Sequence, residues 1–407
     1  KKRYIGEAKV LRAYNYYELY TKFGDIPYTT KVLSIKESMS IARTAKATVI
    51  ANVLADLDEV INGNYLPTSY DADNKGRITR WAAMAIKAKI YLFEGNWTQV
   101  KNITSTIMTE GGFKLFGSYA GLFEIANEYN SEVILDAQYR PTSREHQMMY
   151  VFLPPTLGGY SQLSPLQELV DSYIMLDGKT IKETGTSFDE SHPYANRDPR
   201  LKATVMYTGN SYTLADGTEV VINCEKGEGK DGYGVGSDCS ATGYYIKKYW
   251  DNTYRATLYS GLNPILIRYA DILLMNAEAL AELGELDKTA WDATIKPIRD
   301  RAGFTLASAL EFPEGASKDK LIEIVRNERR SELALEGHRH KDIIRWRIAD
   351  NVLNGWCHGL KTNDVVGTDD GYVRVENRTF NANKHYLWPI PQAERDLNGN
   401  LEQNPNW

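Results

Sequence analysis

Residues 326–346, RNERRSELALEGHRHKDIIRW, place ten Asp, Glu, Lys and Arg side chains and two histidines in one short stretch bracketed by apolar runs. Such a composition could bind a metal, supply the carboxylate pair of a glycosidase, or form an ion network that holds the chain together. A shared metal is excluded for His338 and His340, because side chains two apart on a helix point about 200° apart. On a helix Glu328, Glu332 and Glu336 stack at i, i+4 and i+8, an arrangement repulsive by roughly 0.2–0.5 kcal/mol per pair unless cations intervene. Arg329 stands three before Glu332, and Arg339 three after Glu336. Glycosidase acids come from separate elements facing a cleft, so one stripe interleaved with arginines points to structure instead. The spacing predicts a clamp of Glu328, Arg329, Glu332, Glu336 and Arg339 beside the apolar Val325, Leu333, Leu335, Ile343 and Ile344.

No other motif carries catalytic chemistry. GEGKDG, with Gly227, Gly229 and Gly232, matches the dinucleotide fingerprint in spelling, but YGVGSDCSATG follows it and cannot open a helix toward a pyrophosphate. GKT at 178–180 has Tyr173 where a P-loop needs its first glycine. G-x-S-x-G and H-E-x-x-H are both missing. Cys224 and Cys239 bracket the glycine-rich loop as a bridge or as two thiols, and Cys357 stands alone. Glu225, Glu228, Asp231 and Asp238 offer calcium-type oxygen ligands but lack EF-hand spacing, so no cofactor is expected and calcium stays an unsupported option. Asp136, Glu145 and Glu168 are the acids a helical glycosidase could use, and nothing marks them.

The elements that must position these residues are mainly helical. With 407 residues, 43% of them hydrophobic, and a net charge of −5, the chain can bury a large core and lacks the basic excess a nucleic-acid partner requires. No apolar run reaches the ~18 residues of a membrane span. Residues 1–125 read as helices, with Ile5, Ala8, Val10 or Leu11, and Leu19 in phase from the start, then Ile50, Val53, Leu54, Leu57 and Ile61. The absence of a cap before that first helix suggests a trimmed start. Between 126 and 262, EVILDAQY and RLKATVMY alternate like strands among Pro- and Gly-rich loops. Over 263–407, helices return from 263 to about 350 and a Pro-containing tail ends the chain. AMAIKAKIYLFEGNWTQV and NAEALAELGELDKTA each end a small-residue face on a glycine turn, as tetratricopeptide helix pairs do. A mostly α fold of such pairs with an irregular insertion is expected, the three regions packing as one unit.

Several blocks in order then give a resemblance: RAYNYYEL, GRITRWAAMAIKAKIYLFEGNW, YANRDPRL, RYAD before ILLMNAEALAELGEL, IRDRAG, ERRSELALEGHRHKDIIRW and WPIPQAERDLNGNLEQNPNW. Together they resemble the SusD/RagB family of outer-membrane nutrient-binding lipoproteins. The resemblance implies tetratricopeptide-like pairs supporting a loop-rich ligand face. It also implies non-catalytic glycan capture at the cell surface for a SusC-like TonB-dependent barrel, with a lipid anchor on a segment preceding this chain. A glycosidase or a tetratricopeptide adaptor for other proteins remains the alternative.

A sugar binder needs flat rings for the C–H face of a pyranose and a few polar groups for its hydroxyls, carried on loops. The 27 tyrosines and 8 tryptophans favour such a surface. AQYRPTSREHQMMYVFLPPTLGGYSQLSP offers Tyr139, Tyr150 and Tyr160 as platforms and Arg140, His146 and Gln162 as readers of hydroxyls. Trp250, Asp251 and Tyr254 in KKYWDNTYRATLY form a second set. Trp81, Trp97, Trp291 and Trp346 fall at core phase and are expected to pack.

Overall fold

The computed structural model describes residues 1–254 and 259–407; Arg255 to Leu258 of the KKYWDNTYRATLY segment lie outside the described residues. Fifteen α-helices and only short strands occur among them, as a mostly α reading requires. None of these helices is long and apolar enough to cross a membrane. The chain forms two compact units: residues 1–111, 338–354 and 379–407 make the first, and 112–337 with 355–378 the second. This division does not follow boundaries near 125 and 262, because the last third of the sequence contributes to both.

In the first unit, helices Lys2–Phe23, Lys46–Asn62, Arg80–Phe93 and Trp97–Glu110 pack in succession. The opening helix corrects the expected phase. Gly6, Val10, Ala13, Tyr17 and Tyr20 form its buried stripe, while Ile5, Leu11 and Leu19 are exposed. Tyrosine rings replace the aliphatic residues as the apolar face, with Tyr17, Tyr20 and Phe93 meeting edge to face. Gly95, at φ 71°, turns the chain between the Arg80–Phe93 and Trp97–Glu110 helices. Gly284, at φ 73°, ends helix Tyr269–Leu283 in the second unit in the same left-handed conformation, so the two segments predicted to resemble each other share this stop. The C-terminal coil is fixed by side chains: Asn404 Nδ2 donates to the Phe23 and Trp388 carbonyls, and Arg43 donates to Asn404 Oδ1.

The second unit is built differently. Its sheets are two- or three-stranded, including Val133–Asp136 paired antiparallel with Ile265–Arg268, and Gly355–Lys361, Tyr372–Arg378 and Thr368–Asp369 side by side. RLKATVMY is a correction: Pro199–Thr204 is helical and only Val205–Met206 extends. Asp198 accepts the Arg200 N–H as N-cap and Pro199 presets the first turn, so capping chemistry overrides the alternation. Between the short elements run loops whose carbonyls have no ladder to satisfy them. Tyrosines fill that need. Tyr245 donates to the loop carbonyl of Asp231 at 2.5 Å, and Tyr212 donates to the Ile246 carbonyl at the end of the two-residue strand Tyr245–Ile246 at 2.7 Å, their rings packed in a core with Tyr119, Tyr173, Tyr244, Tyr249 and Tyr254. Much of the aromatic excess read as recognition surface is therefore core. Trp81, Trp291 and Trp346 are buried and Trp97 is half-buried.

Candidate functional site

The predicted clamp exists in part, with different partners. Helix Lys318–Glu332 ends at Glu332, and the chain then turns through Leu335 (φ 63°) and Gly337, so Glu336 is not on the same helix. Leu335 faces solvent. The intervening cations come from other elements. Glu332 Oε1 meets Arg268 at 2.6 Å and also Arg301, and its Oε2 meets Arg200 at 2.8 Å. Arg268 also holds Glu132 and Glu336 at 2.7 and 2.8 Å, Arg200 holds Asp198 and Glu328, and Arg299 holds Glu328. Lys248 Nζ lies 2.7 Å from Glu336. Arg329 pairs with Asp271 at 2.6 Å rather than with Glu332. Arg339 sits in the first unit, its guanidinium over Trp346.

Five carboxylates (Glu132, Asp198, Glu328, Glu332, Glu336) thus face five cations (Arg200, Lys248, Arg268, Arg299, Arg301) with almost no solvent. Burial alone would raise the Glu332 carboxyl, but Arg301, Arg268 and Arg200 hold it well below the usual carboxylate range. For Lys248 burial wins over Glu336, and its amine falls to about 8. With both oxygens of Glu332 committed to arginine, its carboxylate serves the frame of the unit.

The sugar-site candidates separate into reachable and unreachable groups. Tyr150 and Tyr160 come together, ring centroids 4.3 Å apart, with the Tyr160 N–H donating to the Tyr150 carbonyl. Tyr160 is 39% exposed, and Gln162 beside it is exposed. Tyr139 is half-buried under the Arg144 guanidinium and edge-on to His146, while Arg140 is exposed on the same turn. His146 must be removed as a reader of hydroxyls: its Nε2 donates to the Leu262 carbonyl at 2.8 Å and its Nδ1 accepts the Met148 N–H. Asp251 is also corrected, being buried with its oxygens taken by Thr253 and Ser260. Tyr254 is fully buried in the core. Trp250 is half-buried against Tyr212 and donates its indole N–H to the Thr213 carbonyl.

The acids weighed for hydrolysis are engaged too. Asp136 accepts from Gln138 and Asn263, Glu145 accepts the Thr142 N–H, and Glu168 accepts from His358. Cys224 and Cys239 are free thiols, and no group of three His, Cys, Asp or Glu fit for a metal occurs among the described residues.

A feature the sequence did not reveal is a groove of about 1150 Å³ in the second unit, lined by Tyr194, Tyr207, Tyr244 and Tyr372 among polar side chains. These tyrosines come from four separate stretches of sequence with no shared spacing to announce them; only Tyr194 falls within a block, YANRDPRL, that carried the resemblance.

Residues 122–407 match the SusD family, and residues 1–92 match a family described as starch-binding and associating with the outer membrane. A SusD-like protein of Formosa agariphila is 28% identical over 86% of this chain, which spans 64% of that relative's length; a second from the same organism is 26% identical over 98% of the chain and 72% of its own. A solved SusD-like carbohydrate-binding protein from Bacteroides fragilis is 29% identical and superposes with a TM-score of 0.87 over 98% of this chain and 80% of its own. With the family match extending over more than half its residues, this chain belongs to the SusD family.

Proposed function

We propose that this chain binds glycans without transforming them, at the surface of the outer membrane, and passes them to a SusC-like TonB-dependent barrel. The observation that carries the reading is the loop-borne ring pair Tyr150–Tyr160, with Gln162 beside it, in a unit whose carboxylate clusters are committed to structure. A pyranose stacks its C–H face on such a ring while an amide reads its hydroxyls. The B. fragilis relative, a carbohydrate-binding protein of the same fold, supports this. Attachment would come from a lipid on a segment preceding this chain, because several acyl chains hold a water-soluble domain firmly where one is marginal.

A glycan array on the purified chain tests binding, with reducing-sugar release measured on every glycan that binds. Retained glycans without release support the reading, and release of sugar contradicts it. Surface labelling of intact cells tests location: labelling only after lysis contradicts the outer face.

A further inference from the structure

We propose that the groove between the 188–195 loop, the 207–228 segment and the 360–372 hairpin is itself a carbohydrate site, and that it takes an uncharged oligosaccharide. The inference rests on the glycan-binding reading above and goes beyond it in placing a second site and naming a ligand class. Three observations combine.

The first is the aromatic wall. Tyr194 and Tyr207 stack face to face, centroids 4.0 Å apart and 17° between planes. Tyr194 is fixed by its hydroxyl, 3.2 Å from that of Tyr244, which donates to Gln167 at 2.5 Å. Tyr207 lines the groove half-buried, and its hydroxyl makes no hydrogen bond to a described residue. A ring already held by a neighbour loses little freedom when a sugar covers it, and the spare hydroxyl can meet one of the sugar's own.

The second is size. At about 1150 Å³ and open to solvent, the groove exceeds the roughly 300–1,000 Å³ of a typical small-molecule pocket, room for a chain of several rings rather than one.

The third is charge. Three lysines line the groove against four carboxylates. Two of the lysines are spent pinning its walls: Lys226 holds Asp364 at 2.5 Å and Lys361 holds Glu190 at 3.0 Å. That leaves Lys202 against Glu225 and Glu228, a balance that repels a polyuronate or sulfated chain, which would need a cation at each repeat. Hydroxyl-bearing neutral sugars meet no such penalty, and the exposed Asn223 and Asn363 can hydrogen-bond to them.

The test is titration calorimetry of the purified chain with neutral hexasaccharides of the cello, laminari, xylo, manno and malto series, and with oligogalacturonate and sulfated galactan oligosaccharides, at low and high salt. At least one neutral series should bind with salt-independent affinity. Tyr207→Ala should weaken it by about tenfold or more and Tyr207→Phe by only a few-fold. Asn363→Trp, which fills the groove from an exposed position, should weaken it comparably if Tyr207→Ala fails to fold. Neutral binding untouched by both the Tyr207 and Asn363 variants, yet lost in Tyr160→Ala, overturns the groove while the glycan reading stands. Binding of the anionic chains alone, falling steeply with salt, overturns the ligand class. Binding of none overturns both.

Discussion

The second unit uses the same charged residue types in two opposite ways. Around Glu332 ten ionised groups lie in the core with side chains no more than 7% exposed. Along the groove, Lys226, Lys361, Glu190 and Asp364 pair at similar distances but are 38–70% exposed. Distance alone does not separate the sets; solvent does. In the core, removing one partner strands a charge that water cannot reach, whereas at the groove water replaces the partner at once. Charge therefore fixes the frame in one place and tunes ligand choice in the other.

The largest expected effect follows from that difference. Glu332→Ala strips the shared partner from Arg200, Arg268 and Arg301 together and should cost about 3–5 kcal/mol of stability in chemical denaturation, with glycan affinity per folded molecule unchanged. A loss of affinity without a loss of stability would break the comparison. The acid limb has the same origin. Because the folded Glu332 value is depressed, its contribution is complete above the ordinary carboxylate range and is lost as pH falls through the folded value. Stability of the wild type should thus decline in acid, and Glu332→Gln should flatten that decline.

Next comes packing without charge. Trp291 is buried against Phe312 and donates to the Leu310 carbonyl at 2.8 Å. Trp291→Ala should cost about 3–5 kcal/mol as well, through a cavity and an orphaned carbonyl, again without changing affinity. The two variants differ in salt response: added salt should alter the defect of Glu332→Ala more than that of Trp291→Ala.

How much of this was legible follows the range of each interaction. Helices announce themselves through near neighbours, and Gly95 and Gly284 mark their ends because a left-handed turn needs glycine there. Two carboxylates of the buried cluster, Glu328 and Glu332, were legible for the same reason, since they share one helix, whereas Glu132 and Asp198 come from other elements and were not. Their cations were not: Arg200 belongs to YANRDPRL, Arg268 to RYAD and Arg301 to IRDRAG, and sequence spacing cannot pair residues 31 to 132 positions apart. Each of these arginines nonetheless lies in a block that carried the family resemblance, so those three blocks are pieces of one buried network; Lys248 lies outside them. The sugar face is hard to read in the sequence for a different reason. A tyrosine outside the helices reads alike whether its hydroxyl serves a buried carbonyl, as for Tyr212 on strand Ser211–Thr213, or its ring faces water, as for Tyr160.

The exposed rings should show the converse of the core variants. Tyr160→Ala should weaken glycan binding by about 1–3 kcal/mol in calorimetry, with little change in melting temperature. A large fall in melting temperature would move Tyr160 into the same class as Trp291. At the groove, Lys226→Ala removes an exposed pair with Asp364 and should cost only about 0.2–1 kcal/mol in stability.

The smallest effect belongs to His358, where the two kinds of ion pair meet. This half-buried ring lies between Glu168 on helix Gln167–Ser172, 2.8 Å from Nδ1, and Asp369 on strand Thr368–Asp369, 3.0 Å from Nε2; Arg374 on the adjoining strand also grips Asp369. Burial alone would lower the imidazole's affinity for its proton, but Asp369 and Glu168 outweigh it and the folded value is raised. The sign follows. A histidine raised on folding contributes fully below its unfolded value of about 6.5, and that contribution is lost as pH rises through the folded value. Arg374 keeps its charge across this range, so Asp369 stays partnered when the ring goes neutral. Screening by water should limit the loss to less than about 1 kcal/mol. Denaturation of the wild type against His358→Gln, from slightly acid to slightly alkaline pH, should therefore show the wild type's advantage shrinking as pH rises. Because the strand bearing His358 continues into the groove-lining hairpin, neutral-glycan affinity measured over the same range tells whether the ring only steadies the frame or also sets that wall. An advantage that grows with pH would mean that the carboxylates do not hold the imidazolium at all.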